Sequence, residues 1–148
     1  MNSLLSSRLY NNTDFYKTFK KDLQHARQSV IIESPFITSK RMNDLLPVLA
    51  KLRHRGVDIV INTRNPEEHD EEYGFQATYA IQQMQEIGIR VLFTVKHHRK
   101  LAILDDETLW EGSLNILSQN DSCEIMRRTV SQQLANQMVR FIGASRWF

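Results

Sequence analysis

His98 and Lys100 are separated by one residue, Asp105 follows after four more, and Gly112-Ser113-Leu114-Asn115 follows after six. Glu124 comes nine residues beyond Asn115. In an extended strand His98 and Lys100 point to one face about 7 Å apart, so an imidazole and an ammonium converge on the same side. A phosphate fits between such groups. Gly112 permits close backbone approach, and the Ser113 hydroxyl and Asn115 amide can donate to phosphate oxygens. Glu124 is a candidate to take a proton from the second ring nitrogen of a catalytic imidazole and so fix its tautomer.

Each residue alone has a plainer reading. Lys100 and Asp105 could be solvated charges, Gly112-Ser113 an ordinary turn and Asn115 its cap. His25, His54 and His69 read as structural or half-exposed histidines. The spacing carries more weight than any single residue. With five His, seven Lys and eight Asp, H-x-K-x4-D arises by chance in roughly 1 in 80 such compositions. His97 has Arg99 rather than Lys two residues on, which assigns the pattern to His98.

The whole pattern, H-x-K-x4-D-x6-G-S-x-N, resembles the signature of the phospholipase D superfamily, and every defining position is present. A Ser-Pro-Phe at residues 34–36 and an Arg-Gly-Val at 55–57 are also similar to that family. The resemblance implies a phosphodiesterase working without metal or cofactor through a covalent phosphohistidine. His98 would be nucleophile or general acid, Lys100 and Asn115 would bind phosphate, Ser113 would assist and Glu124 would orient a histidine. Asp105 belongs to the same signature with a role closer to structure than to proton donation. Arg99, within the basic stretch, is expected to contact substrate.

Attack on phosphorus by one imidazole needs a second acid for the leaving oxygen, and the chain carries one motif. The resemblance to the single-motif bacterial nuclease branch implies a homodimer that brings two copies of His98 together about a twofold axis. Substrate does not follow from fold. Between Ile87 and Leu104 lie Arg90, Lys96, Arg99 and Lys100 with no acid, and Arg53, Arg55, Arg127 and Arg128 add to the basic surface. These favour nucleic acid, DNA or RNA. The alternatives are a phospholipid phosphodiesterase or phosphatidyl transferase, and a non-catalytic nucleic-acid-binding and dimerisation module of a larger machine.

The elements that must hold these residues read in an α/β order. Phe15, Tyr16, Phe19, Leu23 and Ala26 predict a helix over 13–27 behind a Thr13 cap. Strands are predicted at 29–32, 57–62, 89–95, 101–104, 108–110 and 124–130. A second helix carries Met42, Leu45, Leu49 and Leu52. It starts near Asp44 with Pro47 in its first turn, or at Ser39 with a kink. A third carries Tyr73, Ala77, Ala80, Ile81 and Met84, and a last helix runs over 131–148. Alternating strands and helices predict a mixed, largely parallel central sheet flanked by helices on both faces, with later strands antiparallel. That is the phospholipase D-like architecture, in a single domain over 1–148 that is also compatible with excision from a longer protein.

Composition sets the outer limits. The chain has 148 residues, 41% of them hydrophobic and 24% charged, enough for one domain that buries roughly 70% of its unfolded surface. No apolar run approaches the ~20 residues of a membrane span. The first seven residues lack the basic and apolar regions of a secretory signal, and a lone Cys123 excludes an internal disulfide; a cytoplasmic location is expected. The net charge of +2 hides an uneven distribution. Without Glu67, Glu68, Asp70, Glu71 and Glu72, nineteen basic residues face twelve acids. Those five acids suit the positive end of a helix better than a metal site, and none is expected.

Overall fold

The computed structural model describes residues 6–148. Most of the stretch read for a leader, residues 1–5, lies outside them. Seven strands form one sheet in the order β1-β7-β6-β5-β2-β3-β4. They are β1 (Ser6–Asn11), β2 (Ser29–Glu33), β3 (Asp58–Thr63), β4 (Arg90–Phe93), β5 (Leu101–Leu104), β6 (Thr108–Gly112) and β7 (Ile125–Val130). The helices are α1 (Phe15–His25), α2 (Ser39–His54), α3 (Glu71–Glu86) and α4 (Gln132–Phe141).

The mixed sheet and the two-sided helical cover are as expected, but the parallel part is smaller. Only β2–β3 and β3–β4 run parallel, across the α2 and α3 crossovers. The other four neighbouring pairs are antiparallel. The physical reason is the connections: a parallel step needs a crossover such as α2 or α3 supplies, whereas a three-residue turn joins β5 to β6 and the twelve-residue loop from β6 to β7 holds no helix. Sequence reading missed β1. Its residues are mostly exposed, so no alternation marks Ser6–Asn11 as a strand, and only pairing with β7 makes it one.

Helices α1, α2 and α3 bury Phe15, Phe19, Leu23, Met42, Leu45, Leu49, Ala77 and Met84 against Val30, Ile32, Ile59, Ile61, Ala102, Leu104 and Trp110 on one face of the sheet. On the other face α4 and a short turn at Ala144–Arg146 cover Ile31, Leu101, Ile103 and Leu109. Alternation of side chains along β2 and β5 places these two sets on opposite sides. Replacing any one of the wholly buried leucines by Ala should cost about 2–5 kcal/mol.

Helix ends follow local chemistry. Asp70 caps α3 by accepting from Tyr73 N at 2.9 Å, with Glu71 and Glu72 in the first turn. The acidic run thus serves a helix start, as its position predicts. Thr38 caps α2, which begins at Ser39 and carries Pro47 inside it, so the earlier of the two expected starts is the observed one. In α1 the residue before the helix is Asp14, not Thr13, and no side chain caps it; burial of its aromatic face holds it instead. The last expected helix is split after Phe141, where Gly143 adopts φ +74°.

Candidate active site

The segment between β4 and β5 carries His97, His98, Arg99 and Lys100. It lies outside the strand ladder, which corrects the expectation that His98 and Lys100 share a strand face. The Lys100 side chain folds back instead. Its Nζ donates to the His98 carbonyl at 2.7 Å and lies 3.1 Å from His98 Nδ1. The two groups are therefore in contact rather than 7 Å apart.

The segment still alternates, and a buried carboxylate explains why. Glu33, at the end of β2, has no exposed surface. Arg99 donates to both its oxygens, from Nε at 2.6 Å and Nη2 at 2.8 Å. Asn62 Nδ2 donates to it at 2.7 Å, and His97 Nε2 stands 3.6 Å away. Residues 97 and 99 thus turn inward to Glu33, which leaves 98 and 100 to turn out. Burial alone would push the Glu33 carboxyl up, but His97, Arg99 and Asn62 outweigh it and hold the group below the usual carboxylate range. Arg99 was expected to contact substrate; its fork is committed to Glu33, although the residue also borders the cleft.

Across the cleft, Gly112 ends β6 and Ser113 follows it. A Cβ at Gly112 would collide with the Ile125 carbonyl oxygen and approach Met126 Cα to 2.9 Å, so only glycine lets β7 pass this closely. Ser113 N donates to Ile125 O at 2.9 Å, and Ser113 Oγ accepts from Ile125 N at 3.0 Å. The loop beyond is pinned from below. Leu117 N donates to Ser34 Oγ at 3.1 Å, Thr38 N to Leu117 O at 3.0 Å and the Tyr16 hydroxyl to Ile116 O at 2.6 Å. Asn115 Oδ1 is buried without a hydrogen-bond partner, an unmet acceptor at the cleft.

His98, Lys100, Ser113 and Asn115 therefore border one open cleft of about 750 Å³, walled on the far side by Met138, Phe141 and Ile142 from α4. Lys100 beside His98 disfavours a second positive charge, so the imidazole titrates below its ordinary value; burial, Arg64 and His97 push the same way. Lys100 is also lowered, by burial first and by Arg64, while Glu124 opposes the shift. Glu124 acts on Lys100 through its charge. Its own backbone N–H is held by Asn12 Oδ1 at 3.2 Å.

Asp105 lies apart from this cluster. It sits past the opposite end of β5, in a left-handed conformation of φ 55°. Its carboxylate accepts from the backbone N–H groups of Arg27, Gln28 and Ser29 at 2.7–3.2 Å. That work fastens the turn between α1 and β2. Among the described residues no group of three or more potential ligands could hold a metal ion.

The family described as cardiolipin synthase, PLD-like domain, matches residues 19–145. The chain belongs to the phospholipase D-like family. Solved structures of low identity share the family's fold. Nuc from Salmonella typhimurium, a phospholipase D family member, superposes with a TM-score of 0.77 at 18% identity, covering 97% of this chain and 95% of that one. NucT from Helicobacter pylori gives 0.76 at 17%, with 93% of both chains covered. Phosphatidylserine synthase from Haemophilus influenzae gives 0.65 at 14%, covering 95% of this chain but 38% of the other. No curated protein matches the chain.

Two residues beside these candidates escaped the sequence reading. Glu33 had a signal: a lone acid closing the apolar run Val30-Ile31-Ile32 is either exposed at a strand end or buried with partners. Arg64 had none. It follows β3, and its Nε and Nη2 donate to the His97 carbonyl at 3.1 and 2.9 Å, beside the catalytic candidates.

Proposed function

We propose that this protein is a metal-independent nuclease whose site is completed by a second copy of the chain. The observation that carries the reading is one imidazole and one ammonium in contact at an open cleft, with no second histidine facing it among the described residues. His97 is buried toward Glu33, His69 lies against Phe36, and His25 belongs to the Asp105 end. The acid that must protonate the leaving oxygen then comes from the partner subunit's His98.

In this reading the residues take the following roles. The copy that acts as acid is the imidazolium, which gives its Nε2 proton to the leaving oxygen and is left neutral; Lys100 beside Nδ1 makes that proton easier to lose. The attacking copy needs its proton on Nδ1, with Glu124 as acceptor. Its Nε2 lone pair forms a bond to phosphorus as the bond to the leaving oxygen breaks, and that oxygen takes the proton from the opposite imidazole. The same imidazole, now a base, deprotonates the water that releases the phosphohistidine. Lys100 and the Asn115 amide stabilise the charged phosphoryl oxygens.

The surface beside the cleft suits a second copy. Leu9 and Ile125 lie on the same sheet face as α4. They are 56% and 61% exposed, and Phe141 on α4 is 82% exposed. Three such side chains on one face, with Phe141 at the cleft itself, offer apolar surface for an isologous contact. Nucleic acid is preferred over lipid because basic residues surround the motif. TrmBL2, an archaeal chromatin protein reported with a novel mode of DNA binding, shares the fold with a TM-score of 0.63 at 13% identity. The lipid-named neighbour is more than twice as long as this chain's match to it.

Cleavage of labelled single- and double-stranded DNA and RNA in excess chelator tests the reading, with His98→Ala at matched concentration as control. Cleavage that survives chelation and vanishes in the variant is expected. Hydrolysis of phospholipid vesicles with no polymer cleaved would overturn it. Phe141→Asp should leave a folded monomer by light scattering, with activity at least about tenfold lower; a fully active monomer would remove the composite site.

A further inference from the structure

Beyond His98 the molecule carries a second group of side chains that the reaction as written leaves unused. The Arg64 guanidinium that holds the His97 carbonyl also lies over the Phe36 ring, 5.1 Å from its centroid. Phe36 lies against His69, with centroids 4.8 Å apart and planes tilted by 35°, and meets Tyr73 edge-on at 5.5 Å. Three separate segments build this group: the Ser-Pro-Phe after β2, the residue after β3, and the turn that opens α3. The His69 ring is held in place by the Pro35 carbonyl, 3.1 Å from Nε2.

The domain's other aromatic group is built on the wholly buried Phe15, Phe19 and Trp110, with half-buried Tyr10 and Tyr16 packed against that core and the Tyr16 hydroxyl spent on the Ile116 carbonyl. This one is different. Phe36 and His69 are half-buried and Tyr73 is 37% exposed, so ring surface faces solvent immediately beside an arginine. We propose that Arg64, Phe36, His69 and Tyr73 form a subsite for one unstacked nucleobase of a single-stranded nucleic acid, adjoining the phosphate cleaved at His98.

The proposal rests on the nuclease reading and adds to it a preference for single strands. Every base has a π-face that an aromatic side chain can meet without regard to sequence, and an arginine beside the ring adds a cation for the neighbouring phosphate. A base inside a duplex is already stacked and cannot reach the rings. The charge pattern sets the direction of approach. Glu68 and Asp70 lie next to His69, with Glu68 Oε1 accepting from Lys96 N at 3.0 Å and Asp70 capping Tyr73 N. Their negative charge keeps the phosphate backbone on the Arg64 side, so the base alone extends over the rings. Burial and Arg64 hold His69 below its usual titration range, which keeps the imidazole neutral.

The test compares a labelled single-stranded oligonucleotide with the same oligonucleotide carrying abasic positions on either side of the cleaved bond. For Tyr73→Leu and Phe36→Leu the KM on the intact strand should rise roughly five- to a hundredfold. On the abasic strand the wild type should show the same elevated KM, and the variants should add nothing to it. Tyr73→Phe keeps the ring and should restore the wild-type KM, which separates stacking from a fold defect. Equal losses on intact and abasic strands, or no loss on either, would overturn the subsite while the nuclease reading stands. A wild type that hydrolyses bis(p-nitrophenyl) phosphate through His98 but cleaves no polymer would overturn both.

Discussion

At one end of β5, His98 and Lys100 stand above an open cleft with little to hold them but each other. Past the other end, about 13 Å along the strand, Asp105 accepts from three consecutive backbone N–H groups and returns its own N–H to the Ser29 carbonyl at 2.8 Å. One short sequence pattern supplies both ends. The difference between them is the difference between reaction and architecture. Asp105 has its hydrogen-bonding capacity met by the turn it ties down. His98 is surrounded by cations that raise its free energy when protonated, and the nearby Asn115 oxygen has no partner at all. Unmet demand marks the end that awaits a ligand.

The comparison can be broken from either side. His98→Ala should lower cleavage by roughly 10^4-fold or more, the scale seen when a nucleophile is removed, while the denaturation midpoint stays near wild type. Loss of fold together with loss of activity would place His98 among the structural residues. Asp105→Ala should do the reverse. Losing a carboxylate shared by three amides, with a non-glycine residue left at positive φ, should cost about 2–4 kcal/mol in urea unfolding. The folded fraction should retain activity within a few fold of wild type on that basis, and a large loss of kcat in a stably folded Asp105→Ala would return Asp105 to the reaction.

Glu33 belongs to neither end and sharpens the contrast, because it is buried architecture that aims a reactive segment. Glu33→Gln keeps the shape but loses the charge paired with Arg99. The expected result is a kcat about tenfold to a hundredfold lower with KM little changed, as misplacement of a reacting group by about 1 Å can do. Its carboxyl is held low in the folded protein, so the stability it contributes is present above the ordinary carboxylate range and is lost as pH falls through its folded value. Acid unfolding should therefore be less steep in Glu33→Gln, measured by circular dichroism between neutral pH and the acid transition. The smallest effect expected is spectroscopic. In Lys100→Met the His98 imidazole should titrate at higher pH than in wild type by NMR, because the ammonium beside it is the main cause of its depression. No change would mean the contact at Nδ1 is not maintained in solution.

Much of this was legible in the residues. The spacing from His98 to Asn115 is dense enough in chemistry to single out the cleft, and the helices and buried strands announced themselves through apolar periods of about 3.6 and short apolar runs. What stayed out of sight shares one cause. β1 is a strand only because β7 offers it a partner, and Lys100 meets His98 only because the segment leaves the ladder and folds back. Arg99 read as a substrate contact because its charge is visible in sequence and the buried Glu33, sixty-six positions earlier, is not visible as its partner. How far Asp105 stands from His98 was hidden because a motif has no geometry until a strand separates its ends.

The amino-acid sequence by itself determined which chemistry this protein can carry and the order of elements that carry it, since residue types, spacing and hydrophobic period are local properties. The tertiary structure alone decided which charges are spent on one another, which polar atoms are left without partners, and that Arg64, Phe36 and Tyr73 meet beside the cleft. Those outcomes depend on crossovers that bring β2, β3 and α3 to one edge of the site, and contact between distant segments follows from packing of the whole chain rather than from any stretch of it.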